Sequence, residues 1–314
     1  MTLRLRSGQA YAGLFAIAAF VTVSAQTVAP LEVIPVRGGI YMVAGPSGNA
    51  TVQVGRDGVL VVDPQTAELS DRLLAEIRRL SDKPVRFVLN TTGDADHVGG
   101  NQAIAASGRI LAGGNTRAAT AFATAGAPIW AHEAVLKRLT AEASETSAAW
   151  PTDTFFVAQK DLFVNGEPVQ LMSTPAAHTS GDVMVVFRRT DVVSAGDVYT
   201  PDRYPVIDAT HGGSINGLVD ALNHLLRITV PEFNQQGGTL VIPGHGQLSD
   251  EADVSEYRDM VTIVRDRVRD MVKKGMTLEQ VKAAKPTFDY DGIYGANKGA
   301  VFIEQVYSSL RSQR

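Results

Sequence analysis

Four times along this chain an apolar, β-branched run stops in a tight turn that carries histidine or aspartate. The stretches are VLNTTGDADH, ending at His97; MSTPAAHTSGD, with His178; VVSAGD, with Asp197; and LVIPGH, with His245. Such runs read as strands, and strand ends on one edge of a sheet aim their turns at a common point. Three of the six histidines sit in these turns. With Asp94, Asp96 and Asp197 they offer nitrogen and oxygen donors that suit Zn, Fe or Mn.

The pattern between these turns narrows the fold. VIPVRGG, IYMVAG, NATVQVG and GVLVVDP alternate with Gly, Pro and Asn punctuation, so residues 31–65 read as strands and turns. GVLVVDP has no polar residue before Asp63, as expected of a strand buried on both faces. AELSDRLLAEIRRLSD (67–82) places Leu69, Leu73, Leu74, Ile77 and Leu80 at helical spacing, and PVRFVLN returns to strand. A helix over Asn101 to Ala106, a short strand RILAG (109–113) and helical segments through Thr140 are expected next. Residues 141–153 read as a surface loop beside a pocket, and 154–198 as strand-rich. GSINGLVDALNHLL (213–226) reads as a helix capped by Ser214. TLVIPGHG reads as a strand running into a turn, and the chain from Asp250 as mostly helical. Strands then helices, twice over, predict an α+β fold: a four-layer sandwich of two packed mixed sheets with helices on the outer faces.

The chain has 314 residues, of which 45% are apolar, enough for a sizeable core. It has no cysteine, which excludes a thiolate ligand, a cysteine nucleophile and disulfides. The net charge of −4 and the lack of a basic block argue against a nucleic-acid partner. At the N-terminus, Arg4 and Arg6 precede the short apolar stretch LFAIAAFVTV and then Val23-Ser24-Ala25. This reads as a signal peptide, residues 1–25, cleaved near Ala25. It predicts a periplasmic or secreted protein with no stable membrane association after cleavage. The expected remainder is one domain over 31–248, with a helical extension over 249–314 packed on it. The oligomeric state is left open.

The four turns, in this order, resemble the metallo-β-lactamase superfamily of hydrolases. That family's first motif reads H-x-H-x-D-H followed by a glycine pair. Here Thr92-Gly93-Asp94-Ala95-Asp96-His97 precedes Gly99-Gly100. His178 in TPAAHTSGD, Asp197 in SAGD and His245 in PGHG match the later motifs, and Asp63 in VVDP matches the family's buried strand-end aspartate. The resemblance covers roughly residues 33–248 and implies the metallo-β-lactamase fold. It implies one intact metal site of Asp96, His97, His245 and Asp197. In the other site His178 and Asp197 remain, but Thr92 and Asp94 stand where histidines would be. One firmly held ion is expected, Zn by default with Fe or Mn open, and a second, weaker one through Asp94, His178 and Asp197.

The function implied is an exported metal-dependent hydrolase acting on a small molecule. Metal-activated water would attack an ester, lactone, thioester or amide carbonyl, β-lactams included. Asp94 and Asp96 are the catalytic candidates, with Asp94 as general base if its site holds no metal. The alternatives are a catalytically impaired binding protein of the same fold and a carboxylate-rich iron redox protein. Thr92 is expected to bond the backbone, and Asp63 to order the metal loop rather than touch metal. His132 reads as an N-terminal helix residue and His224 as structural, while His211 is a weaker candidate for substrate contact. Trp150, Phe155, Phe156 and Tyr199 fit either core or cleft wall.

Overall fold

The run Val59–Val62 shows why the chain forms a sandwich. All its side chains are buried, but they face two cores: Leu60 and Val62 point one way, Val59 and Val61 the other. The computed structural model describes residues 30–110, 126–143 and 145–312. The expected signal peptide, and most of the expected strand over 109–113, lie outside the described residues.

The first sheet has seven strands in chain order: β1 (Glu32–Arg37), β2 (Ile40–Gly45), β3 (Gly48–Val54), β4 (Val59–Val62), β5 (Val85–Leu89), β6 (Ile129–His132) and β7 (Asp153–Phe155). The first four are antiparallel; β4 to β7 are parallel. The second sheet runs β12 (Leu240–Pro243), β11 (Val192–Gly196), β10 (Val183–Phe187), β9 (Glu167–Ser173), β8 (Gln159–Val164), with only β11 and β12 parallel. Both sheets are mixed, as in the fold that the resemblance implied.

Between the sheets lie Ile40, Leu60, Leu89 and Phe155 of the first and Leu171, Val185, Phe187 and Ile242 of the second. Each such side chain stabilises the fold by roughly 1.5–3 kcal/mol on burial. That exceeds the ~1–2 kcal/mol cost of fixing one residue's backbone, so strands buried on both faces persist. On the outer face of the first sheet pack α1 (Ser70–Leu80) and α3 (Asn101–Ala106); α2 (Ala95–Val98) is a single turn between β5 and α3.

Against the outer face of the second sheet lie α5 (Ile215–Ile228), α6 (Glu251–Lys273) and α9 (Ala296–Ser312). The short helices α7 (Leu278–Ala283) and α8 (Asp291–Tyr294) connect the last two. One cluster joins Met184 and Val186 of β10 to Leu218, Tyr257 and Phe302, so the C-terminal helices share the core of the second sheet. Ser214 caps α5 by accepting from the Gly217 N–H at 3.0 Å, as its sequence position predicted.

Two local expectations differ. Residues 129–132 were read as helical but form β6, pairing in parallel with β5 before α4 (Glu133–Glu142) starts. Four residues are too short for a helical period to compete with pairing to a buried edge. Of the two readings open for the aromatics, core holds for Phe155 and Tyr199; Phe156 points to solvent, Trp150 donates to the Glu145 carbonyl, and none of the four lines the cleft. The loop 145–152 is likewise away from the cleft.

Candidate metal centre

Every candidate donor follows the C-terminal end of a strand. Asp63 follows β4, the Asp94–His97 loop β5, His178 β9, Asp197 β11 and His245 β12. Two glycines allow the close approach. Gly196 has φ +53°, and a Cβ there would strike the Thr91 side chain; a Cβ on Gly244 would strike the Asp197 carboxylate. Asn49 of β3 fastens the His245 turn, donating to the Pro243 carbonyl at 3.0 Å and the Gly246 carbonyl at 2.9 Å. The buried pair Asn90 and Asn101 ties the first loop to α3 at 2.9 Å.

These turns bring six donors together in two clusters. Ligand atoms of Asp96, His97 and His245 lie within 4.8 Å of one another, as do those of Asp94, His178 and Asp197. Asp197 joins the two: its Oδ1 is 3.3 Å from His97 Nε2 and 3.6 Å from His245 Nε2, and its Oδ2 is 3.8 Å from His178 Nε2. Asp96 Oδ2 is 3.2 Å from His245 Nε2. The sequence-predicted residues Asp94, Asp96, His97, His178, Asp197 and His245 therefore converge without exception.

Asp63 stands behind the cluster. Its Oδ2 lies 2.9 Å from His97 Nδ1, and it accepts from the Thr91 N–H at 2.8 Å and from the Thr91 hydroxyl. The Nδ1 proton is thereby directed to a carboxylate, and Nε2 is the atom left to face the centre. Thr92 departs from expectation: its hydroxyl is buried with no hydrogen-bond partner.

Electrostatics divides the two clusters. Burial alone would raise the Asp197 carboxyl, but His97, His178 and His245 override it and hold it well below the usual carboxylate range. Burial would lower His97, yet Asp197 and Asp63 lift it above the usual imidazole value. For His178, too, burial is overcome: hydrogen bonding to Asp94 and the Asp197 charge raise it to about 10. Both His178 ring nitrogens face acceptors, Nδ1 the Val206 carbonyl at 2.9 Å and Nε2 the Asp94 carboxylate at 2.6 Å. The ring that satisfies both is the imidazolium. Asp94 is held down to about 2, against burial, by His178 and Arg138. Arg138 was not anticipated: its Nη2 lies 2.7 Å from Asp94 Oδ1. No sequence pattern marks it, because it sits on α4, 44 positions along the chain from Asp94.

His97 Nε2 and Asp197 Oδ1 are both buried and face each other at 3.3 Å without forming a hydrogen bond. Leaving such atoms unsatisfied costs about 1–3 kcal/mol each, and a divalent cation shared with His245 and Asp96 would satisfy both. The donor set, imidazoles with carboxylates and no thiolate, fits Zn, Fe or Mn. The centre opens on a cavity of about 860 Å³, walled by Val206, Ile207 and, from α9, Val301 and Gln305.

The remaining histidines sit apart from it. His132 caps α4, its Nδ1 accepting from the Ala134 N–H at 3.3 Å. His211 is held between Asp208 and Glu142 beside a smaller cavity. His224 lies within α5, half-buried.

Comparison with known proteins agrees with this geometry. The profile of the family described as the metallo-beta-lactamase superfamily matches residues 44–245. No curated protein sequence matches the chain. Among solved structures, the stereoselective inverting sec-alkylsulfatase Pisa1 from Pseudomonas sp. superposes with a TM-score of 0.69 at 15% identity, over 88% of this chain and 50% of that one. This chain thus spans half the length of that sulfatase. DIM-1 metallo-beta-lactamase superposes with a TM-score of 0.56 at 16% identity, covering 75% of this chain and 98% of its own. A metallo-beta-lactamase from Pontibacter korlensis gives 0.56 at 15% identity, over 74% and 99%. At these identities the likeness is one of fold.

Proposed function

The chain belongs to the metallo-β-lactamase superfamily, and from that premise we propose that it is a metal-dependent hydrolase. The observation that carries this reading is the convergence of Asp96, His97 and His245 with Asp197, whose buried Oδ1 faces the Nε2 atoms of His97 and His245 without a hydrogen bond, beside an open cavity. Asp96, His97, His245 and Asp197 would hold one ion firmly, Zn by default with Fe or Mn open. When bound, the ion polarises a carbonyl and lowers the pKa of water towards ~7.

The chain's own groups do the rest. Asp63 fixes the His97 ring through Nδ1. Asp94 faces the cavity and orients the attacking water, accepting its hydrogen bond and then its proton. His178 and Arg138 hold Asp94 down to about 2, so it stands ionised and ready to accept that hydrogen bond. The His178 imidazolium, fixed by the Val206 carbonyl, keeps Asp94 turned inward. Val206, Ile207 and Val301 offer an apolar wall for the acyl or leaving group. The substrate is proposed to be a small ester, lactone, thioester or amide, β-lactams included. Export to the periplasm or medium belongs to the same proposal and rests on the sequence of residues 1–25.

Metal analysis of the purified protein, paired with a panel of lactam, lactone, ester and thioester substrates, tests the reading. At least one ion per chain is expected, with hydrolysis that a chelator abolishes and added metal restores. A protein that retains no metal after equilibration with Zn, Mn and Fe(II), and cleaves none of the panel, would end it.

A further inference from the structure

Among the described residues, Arg138 is a strong cation in direct contact with Asp94 that belongs to none of the four turns. Its side chain is 17% exposed, and its Nη2 donates to Asp94 Oδ1 at 2.7 Å. The position is built rather than accidental. Glu142, one turn further along α4, lies 3.4 Å from Arg138 Nε. Arg138 Nη1 and Nε are buried with no hydrogen bond, so Asp94 is the partner that anchors the group.

We propose that the Arg138 guanidinium is a fixed cation standing in for a second metal ion, and that it restricts the centre to one ion on the His97 side. This rests on the hydrolase reading above. A second ion held by Asp94, His178 and Asp197 would share Asp94 with a guanidinium that does not give up its charge at any working pH. It would meet a like charge in a partly buried setting where screening is weak. Each Asp94 oxygen already meets one cationic group, Oδ1 the Arg138 guanidinium and Oδ2 the His178 ring. Thr92, the neighbour that might supply a further donor, carries a hydroxyl, a poor ligand for these metals. Arg138 is thus a positioning residue that sets metal number.

Zinc titration followed by native mass spectrometry, with elemental analysis after desalting, tests this without reference to activity. Wild type should saturate at one Zn per chain. Arg138→Met, which keeps the stem but removes the charge, should take up two, whereas Arg138→Lys should stay at one. Arg138→Gln carries the same expectation as Arg138→Met should the latter fail to fold, as judged by circular dichroism. Two Zn in wild type, or one Zn in both uncharged variants, overturns the inference and leaves the hydrolase reading standing. No Zn in wild type overturns the inference, and the hydrolase reading falls with it only if Mn and Fe(II) are also refused and none of the substrate panel is cleaved.

Discussion

The His97 side of the centre and the His178 side are built from the same kinds of residue, yet their charges are answered differently. On the first, Asp96, His97 and His245 face a common point with Asp197, and two buried atoms there face each other without forming a hydrogen bond. On the second, Asp94 is already held by His178 and Arg138 at hydrogen-bond distance. The lesson is that a cluster of donors defines a metal site only where no internal cation has claimed it first. Coulomb energy within a partly buried cleft is large enough for one guanidinium to decide the matter.

Ligand removal should show the largest contrast. His245→Ala is expected to strip the firmly held ion and lower turnover on the order of 10²–10³-fold or more, the scale of losing a preorganised electrostatic group. Asp94→Asn should keep the ion and lose about 10²-fold in turnover, as for a group that handles the water's proton. Elemental analysis beside steady-state rates separates the two; equal metal loss in both would erase the distinction between the sides.

A smaller effect sharpens the comparison from behind the His97 cluster. Asp63→Asn should weaken metal affinity by about 10–100-fold, because the carboxylate that orients His97 is lost while its ligand atom remains. Competition with a chromogenic chelator measures it. Unchanged affinity would mean that Asp63 serves the Thr91 loop alone.

The smallest effect concerns the helix that carries Arg138. Burial holds His132 below its usual imidazole value of 6.5, with Glu133 opposing and Lys137 assisting. As a cap it accepts from the Ala134 N–H, which only the neutral ring can do. Its stabilising contribution is therefore complete above the unfolded value and declines as pH falls below 6.5 towards the lower folded value. His132→Asn, which caps without titrating, should flatten the fall in Tm between about pH 7 and 5. A wild-type and variant profile of the same slope would place the acid sensitivity elsewhere.

Much of this molecule can be read without coordinates. The uninterrupted apolar strand Val59–Val62 and the fully buried Val183–Phe187 each speak of two faces covered, and hence of a layered fold. The order of the four turns identified the six donors. Residues 129–132 were misread because four residues carry too little periodicity to separate strand from helix. The unpartnered Thr92 hydroxyl escaped because residue type alone does not show which acceptors the fold leaves within reach. Asn49 and Gly196 escaped because their value lies in contacts across sheets, and Gly244 because it makes room for a carboxylate far off in the chain.

Local chemistry and periodicity in the chain alone thus determine which segments are strands buried on both sides and which turns bear His and Asp. Only the folded arrangement decides how those charges are shared. Arg138 meets Asp94 because α4 packs beside the β5 loop, and His178 gains its proton because a backbone carbonyl and a carboxylate flank its ring. Electrostatic energy depends on distance and burial in space, and separation along a chain records neither.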